Sequence, residues 1–295
     1  MIVVVTGGTG YVGSHVAAHC AGRGWEVHLL TRPSGVMPAL LEGHVTRHDI
    51  DNSFESIRDV LMSVSPQCVL HLASAPTGSH DLARVEQLMD ANIRFPVRLL
   101  EAMRETGVRN FVNTGTFWQH YGGDAAYWPV DFYAATKQAF ADLLHHYTYL
   151  HGISAITLKL FDSYGPADPR RKIVTALVDA ALAGRMLEMS AGDQILDLTH
   201  VEDLATAFAS AAEMTSRAEP GSNDSYFISG ERISLKSLVA AIASKSLQGL
   251  DARMGARPYR VREVMAPVAP GAQALPGWER LHDVHTMIDG LLKNH

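Results

Sequence analysis

The chain opens on an unbroken apolar run, Ile2 to Val5, and a helical pattern follows in which Val12, Val16 and Cys20 share one face. A short run with no polar alternation is the pattern of a strand buried on both faces, as in a parallel sheet. The same rhythm continues, with strands predicted at 26–30, 45–48, 68–72, 110–114 and 155–160, and helices between them that include 82–105 and 132–149. Short apolar strands alternating with longer helices predict an α/β fold, a doubly wound parallel sheet with crossover helices on its faces. Past Tyr164-Gly165-Pro166 the pattern loosens into mixed helices and short strands, with Pro- and Gly-rich pieces at 219–223 and 267–277. The expected division is therefore residues 1–165 as the sheet unit and 166–295 as a smaller mixed unit, partly interleaved with the first.

Composition narrows the partners. The 295 residues carry 25 Lys and Arg against 31 Asp and Glu, a formal charge of −6, without a basic block, so neither nucleic acid nor an anionic membrane surface is expected as a partner. No apolar run approaches the roughly 20 residues of a membrane helix, and the N-terminus lacks the basic start of a signal peptide, so a cytoplasmic protein is expected. Cys20 and Cys68 fall on an expected helix and an expected strand, which suits buried free thiols. The fifteen histidines include no His-Glu-x-x-His and no zinc-type spacing, so no metal site is expected.

The first strand runs into Thr6-Gly7-Gly8-Thr9-Gly10-Tyr11-Val12-Gly13. Gly7 permits a tight turn, Gly10 lets backbone approach a pyrophosphate, Gly13 lets the helix pack on the strand, and the helix start at Tyr11 and Val12 offers partial positive charge. Strand, glycine loop and amphipathic helix in that order are the context a Rossmann-type dinucleotide site requires. At the end of the second strand an acidic residue would bind the adenosine ribose hydroxyls; Thr31-Arg32 instead suits a 2′-phosphate, which favours NADP(H) with NAD(H) as the alternative. Asp49, with Ile50 beside it, is expected at the adenine edge.

Tyr133-Ala134-Ala135-Thr136-Lys137 lies on a strongly helical stretch, so the i, i+4 spacing puts phenol and ammonium on one face. A tyrosine with a pKa of about 10 is a poor base near neutrality, and a neighbouring cation is expected to favour its phenolate. Thr114 and Thr116 end the fifth strand, where such a sheet opens its ligand crevice.

Together these motifs, with Val69-Leu70-His71-Leu72-Ala73, Asn92, Tyr164-Gly165-Pro166 and Asp197 to Ala205, resemble those of the extended short-chain dehydrogenases/reductases, the NAD-dependent epimerase/dehydratase family. The resemblance covers nearly the whole chain. It implies that Tyr133 is the catalytic acid/base, that Lys137 holds the nicotinamide ribose, and that Thr116 hydrogen-bonds the reacting oxygen, with Leu72, Ala73, Asn92 and Thr114 along the cofactor. It also implies a homodimer through helices 82–105 and 132–149, and a nucleotide-sugar substrate.

Departures from the family pattern refine that implication. Family dehydratases usually follow the catalytic threonine with an Asp-Glu pair, whereas this chain has Phe117-Trp118, so elimination loses its acid and base. The stretch 113–120, the segment 158–162 and the ending Leu275-Pro276-Gly277-Trp278 are most like the reductases that finish deoxyhexoses such as CDP-abequose. The expected reaction is NAD(P)H-dependent reduction of a nucleotide-linked 4-keto-6-deoxy sugar; an epimerase that recycles its cofactor and a non-catalytic dinucleotide sensor remain as alternatives. Leu196 stands where many members place a pyrophosphate-binding arginine, and Asp162 where asparagine is common. Replacement anion binders are sought in Arg170 and Arg171 or in Arg260 and Arg262. Trp118, Gln119 and His120 follow Thr116 closely enough to reach substrate, and the short gap from Thr116 to Tyr133 suggests an open mouth.

Overall fold

The computed structural model describes residues 1–75, 80–247 and 249–293. Its strands are β1 (Ile2–Thr6), β2 (Glu26–Thr31), β3 (Thr46–Asp49), β4 (Cys68–His71), β5 (Asn110–Thr116), β6 (Ser154–Leu160), β7 (Asp162–Tyr164), β8 (Leu187–Glu188), β9 (Ile195–His200), β10 (Asn223–Ile228), β11 (Glu231–Ser234) and β12 (Ala252–Arg253). Its α-helices are α1 (Tyr11–Gly22), α2 (Phe54–Val64), α3 (Leu82–Met89), α4 (Phe95–Thr106), α5 (Phe132–His151), α6 (Ile173–Leu182), α7 (Val201–Thr215), α8 (Leu235–Lys245) and α9 (Val284–Lys293).

Among the described residues, seven strands form one sheet in the order β10-β6-β5-β4-β1-β2-β3, every neighbouring pair parallel. This is the doubly wound α/β architecture that the hydrophobic rhythm predicts. Alternation along β1 divides the core: Val3 and Val5 pack with Val16 and Ala17 of α1 and Leu204 and Phe208 of α7, while Val4 packs with Ile57, Leu99, Met103, Phe140 and Leu144 from α2, α4 and α5. With side chains pointing to alternate faces, a strand covered on both sides has no polar position to offer, which is why its sequence reads as a continuous apolar run.

The chain crosses the expected division at residue 165. Beyond it, α7 lies on the large sheet, its buried Ala205, Ala207, Ala209, Ala211 and Ala212 permitting close approach, and β10 adds the outermost strand beside β6. β10 starts Asn-Asp-Ser and is an edge strand, so no apolar run announces it. The smaller sheet, order β11-β9-β7, has its own core of Tyr164, Leu177, Leu198, Leu238, Ile242 and Ile288.

The segment 82–105 is one helix by its periodicity but not in the structure, where a π turn at Asp90–Arg94 separates α3 from α4. Pro96 lacks the N–H that would bond the Asn92 carbonyl, and its ring excludes the regular turn there, so the chain takes a wider one with Phe95 N–H donating to Asp90 O. No helix among the described residues is long and apolar enough to cross a membrane.

Candidate active site

The C-terminal ends of the parallel strands converge on one edge, where the glycine loop forms a cradle. Gly7 has φ +74°, and a Cβ there would stand 2.5 Å from the Ala73 nitrogen, so the β1 turn and the residues after β4 meet only through glycine. A Cβ on Gly13 would lie 2.1 Å from the Gly7 carbonyl oxygen. Gly13 thus packs the helix start on the turn itself, rather than on the strand as expected. At Gly10 the added carbon would meet Gly7 O alone, at 3.2 Å, leaving that side of the cradle open. Ser14 N–H is the first to bond within α1, donating to Gly10 O, so the N–H groups of Tyr11, Val12 and Gly13 have no partner inside the helix. Open backbone and a bare helix N-terminus fit the pyrophosphate of a dinucleotide.

Around the adenine end, Thr31 donates through its hydroxyl to Asp49 Oδ1 at 2.9 Å, and Arg47 Nε donates to the same oxygen at 2.7 Å, which holds the Asp49 carboxyl below its ordinary range. Arg32 extends into solvent. Ile50 is buried, its N–H donating to Thr31 O. Arg47, which the sequence reading passed over, also donates to the carbonyls of Pro33 and Gly35 and so fixes the loop after β2. Its signal was register: as the third residue from the end of β3 it stands beside Leu29, just short of the loop it holds.

The floor of the site is a buried hydrogen-bonded layer. Thr6 Oγ1 shares a 2.8 Å hydrogen bond with His71 Nδ1 and accepts from Ala73 N–H, while Leu72 N–H donates to Thr6 O. Burial, then the Lys137 charge, push the His71 pKa well below its ordinary value, so the ring is neutral. Thr114 donates to His71 O at 2.7 Å, which engages its hydroxyl in joining β5 to β4 and leaves Thr116 as the hydroxyl at the strand end. Asn92, at the π turn, accepts from Ser74 Oγ and Ala75 N–H and donates to Thr136 Oγ1 at 2.9 Å. It thereby clamps the loop after β4 to the helix that carries Tyr133 and Lys137.

Asp131 caps α5 by accepting from Ala134 N–H, which sets Tyr133 in the first turn and Lys137 one turn on. Lys137 is buried, its Nζ 5.9 Å from the Tyr133 ring centroid. The expected stabilisation of a phenolate is not what the geometry delivers. Burial dominates and pushes the Tyr133 phenol up to about 12, against a lowering by its hydrogen bond with Ser74, while burial pushes Lys137 down to about 8. Tyr133 at neutral pH is therefore a phenol with a proton to give.

The opposite wall is apolar at its base. Phe117, Phe161, Phe227 and Val268 form a buried cluster with Trp118 against it, so Trp118 is part of the wall. Gln119 and His120 turn inward: His120 Nδ1 donates to Ala126 O, and its Nε2 accepts from Lys159 at 2.9 Å. Arg170 is also redirected, because Asp168, whose side chain is fully buried, holds it through two 2.7 Å hydrogen bonds while its guanidinium lies 4.5 Å above the Tyr11 ring. A buried partner keeps that cation beside the start of α1. Asp162 faces Lys172 at 3.5 Å. Arg262 packs against both Tyr121 and Trp128, its guanidinium 4.7 and 5.4 Å from their ring centroids, with a buried Nη2 that has no hydrogen-bond partner among the described residues. Arg232, missed in the sequence, donates from Nε to Asp197 Oδ2 across the β9/β11 pair and sits over Phe161.

Residues 3–226 match the family model described as NAD dependent epimerase/dehydratase family. The chain is 27% identical over 270 residues to the CDP-abequose synthase of Yersinia pseudotuberculosis, covering 90% of this chain and 92% of that protein. It is 28% identical to the UDP-glucose 4-epimerase of Streptomyces lividans, covering 93% and 90%. Among solved structures, the UDP-glucose 4-epimerase of Thermus thermophilus in complex with NAD superposes with a TM-score of 0.83 at 23% identity, covering 100% of this chain and 98% of that one.

Proposed function

The chain belongs to the NAD dependent epimerase/dehydratase family, and from that premise we propose that it reduces a nucleotide-linked 4-keto-6-deoxy sugar with NADP(H). The observation that carries this reading is the placement of Tyr133 and Lys137 one turn apart at the start of α5, in a site where Phe117 and Trp118, rather than a pair of carboxylates, follow Thr116. Such a site keeps a proton donor for a developing alkoxide and has no carboxylate there for loss of water. The relatives named CDP-abequose synthase, aligned over nine-tenths of both chains, support a deoxysugar carried on a nucleotide.

The glycine cradle and the N–H groups of Tyr11, Val12 and Gly13 would hold the pyrophosphate, and Lys137 the nicotinamide ribose. The solvent-facing Arg32 would meet a 2′-phosphate, and Arg47 pairs with the nearby carboxylate of Asp49. When bound, the dinucleotide supplies the hydride. Thr116 donates a hydrogen bond to the ketone oxygen, and Tyr133 gives that oxygen its proton as negative charge develops, with the Lys137 ammonium one helical turn further along α5. The unpartnered Nη2 of Arg262 suits one pyrophosphate oxygen of the substrate, in place of the arginine absent at Leu196. Asp162, compensated by Lys172, would accept from a sugar hydroxyl. The helices α3, α4 and α5 would form a homodimer face, marked by a cavity of about 530 Å³ lined by Met89, Ile93, Phe132, Ala139 and Leu143.

The test is label transfer. NADPH carrying deuterium at the nicotinamide C4 should deliver it to the reduced carbon of a CDP-4-keto-6-deoxyhexose, with retention in the isolated product. Inversion of a UDP- or CDP-hexose without net cofactor oxidation would replace this reading with an epimerase.

A further inference from the structure

We propose that Gln119 is a positioning residue for Thr116, acting through a one-way chain of hydrogen bonds that runs from Thr116 through Gln119 and Gln138 to Asp142. The proposal rests on the reading of Thr116 as the hydroxyl at the reacting oxygen. Thr116 ends β5, and Phe117–Gln119 follow as a single 3₁₀ turn closed at both ends: Trp118 N–H donates to Thr116 Oγ1 at 3.3 Å, and Thr116 N–H donates to Gln119 Oε1 at 3.0 Å. Gln119 is 1% exposed, so its amide must find protein partners. Its Nε2 donates to Gln138 Oε1 at 2.6 Å, and Gln138 Nε2 donates to Asp142 Oδ1 at 2.8 Å.

The two ends of this chain are chemically unlike. A backbone N–H can only donate and a carboxylate can only accept, so both intervening amides have one permitted orientation. Gln138 directly follows Lys137 on α5, so the chain ties the strand end bearing Thr116 to the helix bearing Tyr133 and Lys137. Those three groups come from two elements that pack through Phe111 and Phe140 but that no hydrogen bond among the described residues joins directly. Thr116 Oγ1 already accepts from Trp118, which leaves its own proton to donate into the site. Gln119 touches none of the reacting atoms; it holds, through the Thr116 N–H, the strand end from which that hydroxyl projects.

The experiment reverses the chain. Gln119→Glu keeps an acceptor for Thr116 N–H but sets a carboxylate oxygen against Gln138 Oε1, so Gln138 must turn its amide and present oxygen to Asp142. Asp142→Asn then supplies an N–H for that oxygen, and the double variant is fully bonded in the opposite sense. With the CDP-4-keto-6-deoxyhexose as substrate, Gln119→Glu should lower kcat on the order of ten- to a hundredfold with KM within about twofold, the scale of a misplaced catalytic group. Adding Asp142→Asn should restore most of the loss. Unchanged kcat in the single variant, or no recovery in the double one, would overturn the proposal, since a general packing defect is not repaired by a second substitution at a surface carboxylate. If the wild-type protein does not turn the ketone over, the assigned reaction fails separately. Hydrogen exchange of the Thr116 amide then decides the relay: protection lost in Gln119→Ala and kept in Gln119→Glu supports it, and equal exchange in all three proteins refutes it.

Discussion

The two walls of the crevice are built on different principles. On the dinucleotide side the work is done by backbone: Gly7, Gly10 and Gly13 clear space, the first turn of α1 presents its N–H groups, and the side chains of Thr6, His71 and Thr114 hold neighbouring strand ends together. On the substrate side the cations are held by side chains of other elements. Arg232 is paired to Asp197, Lys172 to Asp162, and Arg262 is held by two aromatic rings. Backbone geometry tolerates almost no substitution, whereas paired side chains can be exchanged in sets. The first wall therefore suits a cofactor that many reactions share, and the second suits a substrate that changes.

The largest expected effect breaks the chemistry while sparing both walls. Tyr133→Phe should lower kcat by roughly 10²- to 10⁴-fold, the usual contribution of a positioned acid, with dinucleotide affinity unchanged by titration calorimetry. The next separates two kinds of glycine on the first wall. Gly13→Ala drives a carbon into the Gly7 carbonyl and should weaken dinucleotide binding about ten- to a hundredfold together with a lower Tm, from an overpacking cost of about 1–3 kcal/mol. Gly10→Ala, with 3.2 Å available, should weaken binding with Tm unchanged; equal Tm losses in both would show that the cradle is only structural.

On the second wall, Arg262→Ala should raise KM for the nucleotide-sugar about tenfold with kcat nearly constant, the scale of one charge-assisted hydrogen bond. A fall in kcat at constant KM would move Arg262 out of the pyrophosphate role. The smallest effect concerns the boundary between the walls. Burial lowers the Lys137 pKa from 10.5 to about 8, so between those values the unfolded chain binds more protons than the folded one, and stability rises with pH. Relative to Lys137→Met, the cofactor-free protein should gain a few degrees of Tm across that window; parallel curves would mean that the ammonium is not desolvated.

How far the sequence could be read follows the same contrast. The sheet, the glycine loop and the Tyr133/Lys137 spacing were legible because each depends on residues within one turn or one strand. β10 was not, because an edge strand beginning Asn-Asp-Ser carries no apolar signature, and the break of helix 82–105 was marked only by Pro96. Arg170 was assigned to substrate on composition of its loop, yet its place beside Tyr11 is decided by Asp168 two residues earlier and by a ring 159 positions away, which no local pattern encodes. The phenol of Tyr133 shows the same limit in energy. Its spacing from Lys137 suggested a lowered pKa, but the sign is set by burial, a property of the whole fold.

The central claim is that this crevice gives a proton and a hydride to a ketone once and lets the alcohol go. The most direct test is the stoichiometry of cofactor to product with purified protein, NADPH and a CDP-4-keto-6-deoxyhexose. The account predicts one NADP⁺ formed for each sugar carbonyl reduced, at a rate at least about a hundredfold lower with Tyr133→Phe. Sugar conversion with no net change in NADPH, or equal turnover by Tyr133→Phe, would contradict it.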